Sequence, residues 1–214
     1  MKISTLKEIV SIFFILNILS LLSILYVDNG LFIFIHYYLL LIMRFSIVST
    51  VKAVFESNYF LYSVCTLILS SLLFRRNKRK ISFHLVLYWS ICLLLIVLMK
   101  GAVKALFGRC APLDSTSIEC KNFYFSHGFN FFKNLPSYSG CFPSGHCFII
   151  TFCCVWIGLE NIKIYSLCAL VIPIFTSLTL VLLCYHYLSD CIFGISLGYI
   201  SGIASIKLWL KLGV

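Results

Sequence analysis

The chain has 214 residues, of which 61% are hydrophobic and 11% charged, and its mean hydropathy is +1.04. A soluble domain carries roughly 45–50% apolar and about 25% charged residues, so a soluble globular enzyme, a disordered chain and a fibrous protein are excluded. The formal net charge is +10, but the cations sit in short connections between apolar runs, which suits anionic lipid headgroups and not nucleic acid.

The expected fold is all-α: one polytopic membrane bundle, in a single integral-membrane domain over residues 1–214. A membrane helix needs about 20 mostly apolar residues. The first such run is Ile9–Val27, which follows Lys2 and Lys7 and has no small-residue cleavage site after it, so it reads as a retained anchor. Gly30–Phe55 has a short apolar core, Leu31–Met43, that contains His36 and is followed by Arg44 and Lys52. It reads as interfacial helices, with a span as the alternative. Tyr59–Phe74, Ile81–Met99, Cys147–Leu159 (extended back toward Ser144), Ile164–Cys184 with a kink at Pro173, and Leu188–Leu208 bring the expected count to six spans.

Six spans place both termini on one side, together with Arg75-Arg76-Asn77-Lys78-Arg79-Lys80, the most basic segment of the chain. That side is therefore cytoplasmic. Arg44, Lys52, Lys100, Lys104, Arg109, Lys121 and Lys133 fall on the other side, and charges kept against the topological bias usually have work to do. Gly194, Gly198 and Gly202 recur at four-residue spacing in the last span, where they predict close helix packing within the bundle, with a dimer face as the alternative. Most cysteines fall in apolar runs, where Cys packs as a small hydrophobe. Cys110, Cys120 and Cys141 lie in a polar stretch, and one bridge among them is open to the chain if that stretch faces an oxidising compartment.

Three polar segments reach the outer interface. Lys100 to Pro112 leaves the third span, Cys141-Phe142-Pro143-Ser144-Gly145-His146 enters the fourth, and Tyr185 to Asp190 joins the fifth to the sixth. His186 and Asp190 are four apart and share a helical face. A carboxylate that accepts from one imidazole nitrogen leaves the other free to attack. Pro143-Ser144-Gly145-His146 reads as a helix start with Pro in the first turn, whose free N–H groups suit an anionic oxygen. Lys104 and Arg109 supply positive charge for a phosphoryl group. No zinc-type spacing and no carboxylate cluster occurs, so neither metal nor cofactor is expected, and a histidine nucleophile for phosphoryl transfer is.

These motifs resemble the type 2 phosphatidic acid phosphatase (PAP2) family, related to bacterial acid phosphatases and vanadium haloperoxidases. The family pattern runs K-x6-R-P, then PSGH, then S-R-x5-H-x3-D. Pro143–His146 matches the second motif in full, His186 and Asp190 match the end of the third, and Lys104 and Pro112 match the ends of the first. The likeness covers roughly Lys100 to Gly202. It implies that His186 is the nucleophile forming a phosphohistidine, that Asp190 supports it, and that His146 protonates the leaving oxygen and then activates water. It also implies that Lys104, Ser144 and the Gly145 N–H bind the phosphate oxygens. Two family arginines are absent: Ala111 and Leu180 stand at their positions, and Thr179 replaces the serine before the second. Arg109 is the candidate substitute for the first.

The resemblance implies a lipid phosphatase of a bacterial cytoplasmic membrane with its site facing the periplasm or outside. Its substrate is a phosphorylated lipid of the phosphatidate, undecaprenyl pyrophosphate or lipid A type. The alternatives are a catalytically impaired relative that binds a phosphorylated lipid or a partner, a serine protease using Ser144, and a transporter. The aromatic-rich segment Leu113–Gly140 is expected either to cover the site as a lid or to anchor at headgroup depth.

Overall fold

The computed structural model describes residues 6–42, 83–112, 140–158 and 163–212. The expected span Tyr59–Phe74, the basic segment Arg75 to Lys80 and the proposed lid up to Ser139 lie outside the described residues. Among the described residues all regular structure is helical. The helices are α1 (Leu6–Leu22), a π-helical turn (Ser23–Val27), α2 (Asp28–Ile42), α3 (Phe83–Phe107), α4 (Gly145–Gly158), α5 (Lys163–Leu182) and α6 (Leu188–Leu212). Three runs are long and apolar enough to cross a membrane, Val10–Tyr38, Leu87–Phe107 and Leu188–Leu212, and two shorter apolar helices, Gly145–Trp156 and Val171–Leu182, accompany them.

The N-terminal region differs from expectation. Asp28-Asn29-Gly30 does not end the first helix, and α1, the π turn and α2 form one continuous helical run. The Asp28 N–H donates to the Ser23 carbonyl five residues back, so the widened turn carries the chain through a sequence that reads as a break. A polar stripe runs along α1 into the π turn. Asn17 donates to Ser196 Oγ (3.0 Å), Ser20 to the Ser189 carbonyl (3.1 Å) and Ser23 to Asp28 Oδ1 (2.8 Å). At three-residue spacing these groups share one face, and that face packs on α6.

α4 is the centre of the bundle. Phe148, Ile149, Ile150, Phe152, Cys153 and Cys154 are fully buried, and they join Trp89, Ile96, Ile206 and Trp209 in the main apolar core. α6 can reach α4 because of its glycine stripe. A Cβ on Gly194 would lie 2.6 Å from the Ser144 carbonyl oxygen, and one on Gly202 would lie 2.8 Å from Val155 Cβ. The stripe therefore serves packing inside the bundle. A second apolar cluster, Leu180, Val181, Leu183, Cys147 and Cys191 with Ile35, joins α2 to the junction of α5 and α6.

Candidate active site

The C-terminus of α3, the N-terminus of α4 and the α5–α6 turn meet at one place. α3 runs on through Lys104 to Phe107, past the expected end at Met99. Gly108 then turns the chain with a φ of 52° while its N–H closes on the Lys104 carbonyl (2.9 Å), a left-handed helix end that glycine adopts without steric cost. This turn delivers Arg109 into the interior. On the other side α5 ends through Cys184, at φ 56°, and the Tyr185 and His186 N–H groups return to the Leu180 carbonyl (3.0 and 3.4 Å). That tight return presents His186.

Asp190 ties the three segments together. Its Oδ1 accepts from Arg109 Nη1 (2.5 Å), its Oδ2 accepts from the Tyr187 N–H (2.9 Å), and its carbonyl accepts from the Ser144 N–H (3.0 Å). One residue thus caps the start of α6, holds the end of α3 and fixes the start of α4. A carboxylate in a first helical turn is also favoured by the helix dipole.

The link from Asp190 to His186 is less direct than the spacing implies. His186 Nδ1 lies 3.6 Å from Asp190 Oδ2, beyond hydrogen-bond range, and the Cys141 sulfur sits between them. Its thiol donates to Asp190 Oδ2 (2.8 Å) and lies 3.0 Å from His186 Nδ1. With the thiol proton directed at the carboxylate, the sulfur is left to accept from the imidazole N–H. Burial, and then the Asp190 charge, push the Cys141 thiol well above its ordinary range, so the sulfur keeps that proton. Burial also lowers His186 below the ordinary imidazole value, against the opposing pull of Asp190. At neutral pH its ring is therefore neutral, and the nitrogen facing away from Cys141 carries a lone pair. Cys141, His186 and Asp190 are also close enough to hold a metal ion, with donor atoms within 4.8 Å of one another. A thiolate ligand there would first have to lose the proton it now gives to Asp190.

Ser144 and Cys141 are buried, and His146 is half-buried at the start of α4. The helix starts at Gly145 and Pro143 precedes it, so Pro143 does not occupy the first turn as expected. Ser144 is the cap: its carbonyl accepts from the Phe148 N–H (3.0 Å) and its hydroxyl accepts from the Cys147 N–H (3.4 Å). His146 lies within electrostatic reach of His186, Lys104 and Lys100, and Lys104 within reach of Cys141 and Asp190. The Lys100 side chain lies over Gly145, where an added Cβ would come 2.5 Å from its Cδ. His186, His146, Asp190, Lys104, Ser144 and Gly145 are thus gathered around one point.

Arg109 is placed differently from its expected role at the phosphate. It is buried, and its guanidinium bonds to Asp190, to Asp28 Oδ2 (2.9 Å) and to Ser189 Oγ (2.6 Å), with the Tyr187 ring stacked 4.1 Å from Cζ. Burial opposes this charge, but Asp190 and Asp28 outweigh it and hold the guanidinium above even its usual range. A guanidinium so committed serves as an anchor for carboxylates. Leu180, at the position of the second missing family arginine, is buried in the apolar cluster beside Cys147 and Cys184. Of the three cysteines considered for a bridge, Cys110 is disulfide-bonded and Cys141 is a free thiol.

Two participants have no role here in the sequence reading. Asp28 falls between the first apolar run and the segment that begins at Gly30, and Cys141 stands only as a candidate for a bridge. The one signal for Cys141 is its place two residues before the Pro143–His146 motif.

Residues 83–213 match the family model described as PAP2 superfamily. No curated protein and no solved structure matches the chain.

Proposed function

The chain belongs to the PAP2 superfamily, and from that premise we propose that it is a membrane lipid phosphatase acting through a phosphohistidine. The observation that carries this reading is the gathering of His186, His146, Asp190 and Lys104, from three separate stretches of sequence, around the N-terminus of α4. In the proposed reaction the outward ring nitrogen of His186 attacks the phosphorus of a lipid phosphate. The bond to the leaving oxygen breaks as His146 gives that oxygen a proton. His146 then takes a proton from water, which attacks the phosphohistidine and releases phosphate and free His186. Lys104, Ser144 and the Gly145 N–H hold the phosphoryl oxygens, since fixed donors and the positive end of a helix stabilise charge that grows in the transition state. Arg109 does its work one step removed, by fixing Asp190.

The proposed site faces the outside of a bacterial cytoplasmic membrane. The disulfide at Cys110 supports this, because such bonds persist in oxidising compartments, and the basic run Arg75 to Lys80 supports a cytoplasmic position for the opposite side. Phosphatidate, undecaprenyl pyrophosphate and lipid A phosphates are the proposed substrates.

The test is phosphate release by detergent-purified protein from a panel of these lipids, with EDTA present, beside His186→Ala. Release that vanishes in the variant, with an acid-labile phosphoprotein trapped from the wild type, is expected. A second reading, an impaired relative that binds phosphorylated lipid, is favoured by Leu180 in its apolar cluster. Lipid binding without release from any member of the panel would establish it.

A further inference from the structure

Asp28 lies 55 residues before the segment that matches the family, yet it is one of the most deeply buried side chains among the described residues. An unpaired carboxylate there would be strongly unfavourable, since burial removes its water. Asp28 is instead fully engaged. Its Oδ1 accepts from Ser23 Oγ (2.8 Å) and from the Ser189 N–H (3.1 Å), and its Oδ2 accepts from Arg109 Nη2 (2.9 Å) and from the Ser189 hydroxyl. Every one of these partners except Ser23 also touches Asp190 or precedes it in the chain. Arg109 spans the two carboxylates, one on each terminal nitrogen.

The arrangement divides the guanidinium. With Asp28 on Nη2, Arg109 presents only Nη1 to Asp190, and it meets Oδ1. Oδ2 stays with the Cys141 thiol and the Tyr187 N–H, the side that faces His186. Without the Asp28 charge, Nη2 of Arg109 loses the partner that draws it away from the second oxygen of Asp190, while a guanidinium and a carboxylate favour pairing through both prongs.

We propose that Asp28 is a positioning residue of the active site, a carboxylate brought by the N-terminal helix that holds Arg109 and Ser189 so that Asp190 keeps its His186-facing oxygen. This rests on the phosphatase reading above. Asp28 touches no reacting atom, and it acts through Arg109 and Asp190. The π turn is the device that aims it: the widened turn ends at Asp28, and Ser23 at its start donates back to the same carboxylate. The N-terminal helix therefore belongs to the catalytic unit although the family match begins after it.

The experiment compares wild type, Asp28→Asn, Asp28→Glu, Ser189→Ala and the Asp28→Asn/Ser189→Ala double variant in full-length, detergent-purified protein, reading kcat, KM and thermal stability. Loss of a charged hydrogen bond felt in the transition state predicts that Asp28→Asn lowers kcat roughly ten- to a hundredfold with KM within about twofold. Asp28→Glu, which restores the charge, recovers part of that loss. The double variant is less impaired than the product of the two singles, because both residues work in one network. A kcat for Asp28→Asn within about twofold of wild type would overturn the proposal. So would lost activity that tracks loss of folded protein while Ser189→Ala stays fully active. An inactive wild type overturns the phosphatase reading and this proposal together. An active wild type with an indifferent Asp28→Asn overturns this one alone.

Discussion

α3 and α4 both present groups to the site, and both are almost wholly apolar, yet the bundle treats them in opposite ways. In α4, Phe148, Ile150 and Phe152 are completely buried. In α3, Leu94, Leu95 and Leu98 are about 60% exposed, and Trp89 and Ile96 are the residues that enter the core. Hydropathy does not separate them, because lipid accepts an apolar side chain as readily as a protein core does. What separates them is the partner. α4 lies against the glycines of α6, which let the backbones close, whereas among the described residues α3 touches the bundle through fewer groups: Trp89 and Ile96 in the core, Tyr88 on the Ser205 carbonyl (2.7 Å) and, just past its C-terminal end, Arg109 on Asp28 and Asp190. Among the described residues one helix is packed along its length, and the other leaves one side open and is pinned by ion pairs at its foot.

The foot of α3 is therefore its most vulnerable point. Arg109→Met removes the cation that Asp28 and Asp190 share and leaves both carboxylates buried without it. Breaking a buried pair costs about 3–5 kcal/mol, a large part of the stability of a small domain. The expected result is loss of a sharp thermal transition and of a monodisperse peak in size-exclusion chromatography, with no phosphatase activity. A variant that melts within about one degree of wild type would show that α3 is held elsewhere.

The packing side of the contrast is tested at Gly198. An added Cβ would press on the Phe148 carbonyl oxygen and lie 2.7 Å from Thr151 Cβ, so α4 and α6 must separate. Overpacking of this kind costs about 1–3 kcal/mol. Gly198→Ala should therefore lower the melting temperature by several degrees. It should also lower activity, because Ser144 and His146 sit on the displaced helix. Activity unchanged at the lower melting temperature would separate helix packing from site geometry.

How far these features could be read from sequence follows the same divide. The Pro143–His146 motif, His186, Asp190 and Lys104 were legible because chemistry restricts the residue types at those points. The helical character and the glycine face were legible because they depend on local pattern. The central place of α4 was not, since it is set by α6, more than 30 residues away. Asp28 was illegible for a related reason. In Asp28-Asn29-Gly30 the local signals all favour a turn, and what overrides them is a guanidinium some 80 residues later in the chain. Arg109 reads from sequence as a phosphate ligand, whereas the structure pairs it with two carboxylates. A cation beside a phosphate motif points to phosphate, and only the burial of Asp28 and Asp190 against it shows that its charge is already balanced.

The finest test of the contrast uses a second glycine. Gly101 lies in α3 between Lys100 and Lys104, is exposed, and has no described atom within 4 Å of the position a Cβ would take. Alanine there meets no packed neighbour, and it removes the backbone freedom that makes glycine unfavourable in a helix by roughly 0.5–1 kcal/mol. Gly101→Ala should thus leave the melting temperature unchanged or raise it by a few degrees, the opposite sign to Gly198→Ala, with kcat and KM unaltered. The pair of substitutions is chemically identical, and each sits in a helix that passes the same test for a membrane span. A difference in sign between them can only come from what lies opposite: a tightly apposed helix in one case and, in the other, a surface left to lipid. Equal destabilisation by both would mean that α3 is packed along its length after all, and that the foot at Arg109 is one contact among many.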